Sequence, residues 1–122
     1  MKNLILGSVF VAAAVTSLSA NAAGAQTFCN AGSAGPALVA ATASDTDFVK
    51  VQFTPKCSTN VFLVGNDRNP LLYTVGSASI KGKNKFGGSS AGGSVSVIGN
   101  GCASSACVLQ DATDGSDGAP SS

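Results

Sequence analysis

Histidine, tryptophan and glutamate do not occur anywhere in the 122 residues, and tyrosine occurs once. Each absence excludes something. Without histidine the common general base is missing, and so is the usual nitrogen ligand of zinc. Without glutamate, and with no long stretch mixing Lys, Leu and Ala, extended helices have little to form from. Charge is sparse at 11% of residues, and no apolar run reaches the roughly 20 residues that a membrane-spanning helix requires.

The longest apolar run opens the chain. Lys2 precedes Leu4 to Val15, and Ala20-Asn21-Ala22 and Ala23-Gly24-Ala25 follow in A-x-A order. That is the layout of a secretory signal peptide over residues 1–25, with cleavage after 22 or 25. No cysteine stands where a lipoprotein signal would be cut, and no second apolar segment offers an anchor. The expected locations are the cell surface, the medium or the periplasm, without stable membrane insertion after cleavage. All four cysteines lie beyond either cut, in an oxidising compartment where small domains rely on disulfides.

Removal of Lys2 leaves six basic and six acidic side chains, so the exported chain is near neutral and nucleic acid is not an expected partner. The bulky apolar residues from Phe28 to Leu109 are mainly Val, Leu, Ile and Phe, which favour strands. The reading is all-β: a small antiparallel sandwich or partly open barrel of about six or seven short strands. It divides into an extended arm (26–44), a β domain (45–110) and a disordered acidic tail (111–122), the last because nothing larger than Pro is apolar there.

Within the arm, Gly35-Pro36 reads as a turn. Phe48 to Thr54 gives the clearest alternation, with Val49, Val51 and Phe53 on one face, ended by Pro55. Val61 to Val64 and Leu71 to Val75 read as a hairpin around the turn formers Gly65 to Pro70. Ala78 to Phe86 and Ser94 to Ile98 are further strands either side of a glycine-rich loop, and Cys102 to Gln110 reads as holding a last short one. Four cysteines allow three connectivities. Cys102 and Cys107 are near enough for a local loop, leaving Cys29 for Cys57. The chain-entropy model values those links at about 2 and about 3.6 kcal/mol, while two crossed pairings stay open.

Candidate chemistry is thin. Asp45 with Asp47 suits a turn better than a pair of carboxylates across a substrate. Asp111, Asp114 and Asp117 recur every third residue, without the alternate ligand spacing and closing glutamate of a calcium loop. Gly87 to Gly93 lacks the Lys-Ser/Thr and helix of a phosphate loop. Ala78 stands three before Lys81, where a serine–lysine dyad of the S-x-x-K class would need serine. No catalytic, cofactor-binding or metal-binding residue is therefore assigned. Lys81, Lys83 and Lys85 are more pointed: on a strand they share one face, either protecting an edge or forming a stripe for a polyanion.

In its small cysteine-bearing β domain rich in Gly, Ala, Ser, Thr and Val, the chain resembles bacterial pilus and fibre subunits at the level of class. Chaperone–usher pilins close on an alternating apolar strand. Here the end is Asp117-Gly118-Ala119-Pro120-Ser121-Ser122, so a donor strand would have to come from Leu38 and Val39 in the arm. The resemblance implies a non-enzymatic structural or adhesive protein of the bacterial surface, assembling with itself or a surface partner. The alternative is a soluble binding module that takes an anionic glycan or envelope component on the lysine stripe.

Overall fold

The computed structural model describes residues 24–121. The expected signal peptide therefore falls almost wholly outside the described residues. In chain order the elements are β1 (Gly24–Asn30), β2 (Gly35–Pro36), β3 (Lys56–Cys57), β4 (Val61–Asn69), β5 (Leu72–Ser79), β6 (Lys85–Ser89), β7 (Ser96–Val97) and α1 (Leu109–Asp117). Antiparallel pairing gives one five-stranded sheet in the order β1-β4-β5-β6-β7, and β2 pairs with β3 in a small second sheet. The main sheet is open, with β1 and β7 at its two edges, and does not close into a barrel.

The hairpin expected near residue 65 exists, but β4 runs straight through Gly65-Asn66-Asp67-Arg68-Asn69 and the chain reverses at Pro70-Leu71. Gly65 is required there by contact rather than by a turn: a methyl group on it would overlap the Tyr73 hydroxyl and the Phe28 ring. The register slips by one between Asp67 and Asn69. That bulge accompanies an Arg68 side chain that reaches α1, donating to Ser116 O at 3.2 Å and Asp117 Oδ1 at 2.8 Å. A second slip, between Thr27 and Cys29, accompanies consecutive buried residues at Phe28 and Cys29.

Alternation on β4 and β5 sorts the core into two faces. Phe62, Val64 and Ala78 pack with Cys107 and Ala112 beneath α1. On the opposite face, Phe28, Cys29, Ala41 and Val49 gather with Leu63 and Tyr73. The disulfides are Cys29–Cys57 and Cys102–Cys107, the local pairing rather than either crossed one.

Several expectations fail for physical reasons. Phe48 to Thr54 is not a strand. The Phe48 and Val49 amides are taken by the Asp67 carboxylate, Val49 is buried, and Val51 is 78% exposed. Gly35-Pro36 is not a free turn but β2. Ala78 to Phe86 is divided between β5 and β6 by a turn. Residues 111–117, expected within a disordered tail, form most of α1. The helix lies on the sheet through small residues. A methyl on Gly76 would overlap the Ala112 carbonyl and Ser116 amide, one on Gly87 the Gly115 carbonyl, and one on Gly115 the Phe86 carbonyl.

Because those obstacles are backbone atoms, they cannot rotate away. Gly76→Ala and Gly115→Ala are each expected to cost about 3 kcal/mol or more, lowering the melting temperature by more than ~10 °C. Gly32→Ala, where nothing lies within 4 Å, is the control, and thermal unfolding followed by circular dichroism checks all three.

Candidate functional site

The helix covers one face of the sheet completely enough to bury Asp111, Ala112, Gly115 and Ser116. Its N-terminus is held by Asp111, whose carboxylate accepts the Val108 amide at 2.8 Å. Lys85 on β6 lies under the same helix, 3.0 Å from Asp114 and 3.9 Å from Asp111. A hydrogen bond from Gln110, together with the Lys85 ammonium, holds the Asp114 carboxyl below its usual range.

The other face is half bare. The arm and the segment around Val49 cover it near β1 and β4. Over β5, β6 and β7 the cover stops, and Phe86, Val95 and Val97 are 37%, 64% and 47% exposed. The register places them together: Phe86 pairs with Val97, and Val95 lies over Gly88, where an added methyl would meet it at 2.9 Å. Beside them is a cleft of about 260 Å³ lined by Phe48, Tyr73, Val75, Gly88, Ser90 and Val95. The Phe48 and Tyr73 rings stand 5.9 Å apart at its wall. The Tyr73 hydroxyl is buried with no hydrogen-bond partner among the described residues. Burial, and then the negative charge of Asp67, push its pKa above the ordinary value.

The residues singled out from sequence are scattered. Lys81 and Lys83 stand exposed between β5 and β6, while Lys85 turns under α1 into its ion pairs. The three do not share a strand face, so the premise of a stripe is not met. Leu38 and Val39 do present their side chains outward, Leu38 at 73% exposure, but the Leu38 amide is bound to Phe28 O at 3.1 Å. Cys102, Cys107 and Asp111 offer ligand atoms within 4.8 Å of one another. Their disulfide leaves no thiolate to bind a metal. The bare apolar face was not legible, because Val95 and Val97 read as one more strand with a buried side. Comparison with known proteins gives no match to a family model, a curated protein or a solved structure.

Two titrations follow from this geometry. With a single tyrosine and no tryptophan, absorbance at 295 nm reports Tyr73 alone. Its midpoint in the folded protein is expected above the ordinary value of about 10, returning to it in denaturant. Asp114 has a lowered folded pKa, so its stabilisation is present above about pH 4 and lost as pH falls through the lowered value. The denaturation midpoint of the natural chain should exceed that of Asp114→Asn at pH 6, the difference closing below about pH 4.

Proposed function

We propose that this chain is an exported, non-enzymatic structural or adhesive protein of the bacterial cell surface, acting by contact of its apolar sheet face. The observation that carries the reading is the bare patch of Phe86, Val95 and Val97 beside the Phe48–Tyr73 cleft. Contiguous exposed apolar surface marks interaction sites, and a second layer seated there would complete the sandwich that the strand-rich composition suggests. Two disulfides suit durability outside the cell. A second reading, a binding module for anionic glycan, now rests on Lys81 and Lys83, which are exposed and in no ion pair among the described residues.

Immunogold electron microscopy of intact producing cells, with antibody against residues 24–121, tests the proposal. Label on the outer surface, in patches or on appendages, is expected. Label confined to the cell interior or the periplasm would overturn it.

A further inference from the structure

The two edges of the main sheet differ in a way that says how copies can join. The β1 edge is blocked by the chain itself. Leu38 donates its amide to Phe28 O, Thr42 donates to Gln26 Oε1 at 2.9 Å, and Gln26 Nε2 donates to Ala40 O at 3.4 Å. The Cys29–Cys57 disulfide ties β1 to β3 on the same side.

The β7 edge has no such cover. Ile98 donates to Lys85 O, and Ser96 stands opposite Gly87. In an antiparallel ladder, bonded and unbonded pairs alternate, so Ser96 and Ile98 bond inward while Val95 and Val97 turn their N–H and C=O groups outward. No hydrogen bond from another described residue reaches those outward groups. Sheet edges are normally guarded by lysine, proline or a covering segment. Here no charged residue and no proline occurs from Gly87 to Gln110.

We propose that two copies of the chain pair antiparallel through their β7 edges about a two-fold axis, joining their five-stranded sheets into one continuous sheet. The proposal rests on the surface-contact reading and deepens it by naming the partner as a second copy. The geometry is self-complementary. With Ser96 at the axis, Val95 of each copy faces Val97 of the other, and each pair exchanges both outward bonds. An uncharged edge meets its own copy without repulsion. The four valine side chains then lie side by side on the bare face, extending the apolar strip across the join. Since β1 is blocked, the assembly closes at two copies and does not grow into a fibre. Fibre growth would require Leu38 and Val39 to leave β1.

Size-exclusion chromatography with light scattering, on purified oxidised protein from micromolar to millimolar concentration, is the test. A mass of two chains is expected. A Val95→Lys/Val97→Lys variant should dimerise at least 100-fold more weakly, with unchanged circular dichroism because both side chains are exposed in the monomer. Leu38→Asp/Val39→Asp should leave the dimer intact. A monomer at every concentration would overturn the proposal. So would a dimer indifferent to the lysines, or open-ended polymers abolished only by the arm variant. Because the purified protein is used, the outcome is separable from the localisation experiment: surface label with a monomer defeats the dimer alone, and a dimer without surface label defeats the functional reading alone.

Discussion

The structure depends on how closely one helix can approach one sheet. Where α1 crosses β5 and β6, the contact is backbone against backbone. The Gly76 position abuts the Ala112 carbonyl and Ser116 amide, and the Gly115 position abuts the Phe86 carbonyl. A nine-residue helix whose fully buried positions are all small or polar, and which sets only Leu109 as a large apolar side chain against the core, gains little from hydrophobic area alone. It gains instead from dispersion at short range, and from polar ties that work only at that range. Thr74 and Ser116 hydroxyls meet at 2.9 Å, and Lys85 and Arg68 engage acidic side chains at the helix's two ends. The Cys102–Cys107 loop immediately before it shortens the freedom of the segment that must deliver the helix to its groove.

The same economy governs the opposite face. Little bulk is available to bury residues 40–55, so a charge organises them. Asp67, on β4 and itself buried, accepts the Phe48 and Val49 amides at 3.1 and 3.2 Å. This satisfies backbone donors that a strand partner would otherwise take. One residue further on, the bulge accompanies an Arg68 side chain directed across the sheet to α1. Adjacent residues on one strand thus restrain the layers on both faces.

The legible parts of this fold were those carried by large side chains and cysteines: the strand-rich character, the central hairpin and the presence of disulfides, whose pairing the sequence left open among three connectivities. The helix was not legible. Its buried positions are Asp111, Ala112, Gly115 and Ser116, a set whose composition resembles a solvated tail, because packing against glycines selects for smallness rather than hydrophobicity. Gly65 to Asn69 looked like a turn for the related reason that turn-forming residues also serve close approach and buried hydrogen bonding. Phe48 to Thr54 erred the other way. Its period of two is real, but periodicity reports only a preference for an extended chain and not the presence of a partner strand. Lys81, Lys83 and Lys85 alternated in sequence, and a turn between β5 and β6 removed the common face that alternation implies.

Small residues also shape what the surface can do. A sheet assembled around Gly76 and Gly87 places α1 so near its strands that the face over β4, β5 and β6 is occupied with few large side chains. The bulky residues Phe86, Val95 and Val97 are left to the other face. Covering that face from within would take a second helix or sheet layer, and the part of the arm that follows β1 is committed to it by the Leu38 and Thr42 hydrogen bonds, with Cys29 of β1 tied to Cys57. The exposed apolar strip thus lies on the sheet face opposite the helix contact. Sealing one edge while leaving the other uncharged and open has a directional consequence. The open edge of the main sheet is β7, and Val95 and Val97 are the exposed side chains beside it.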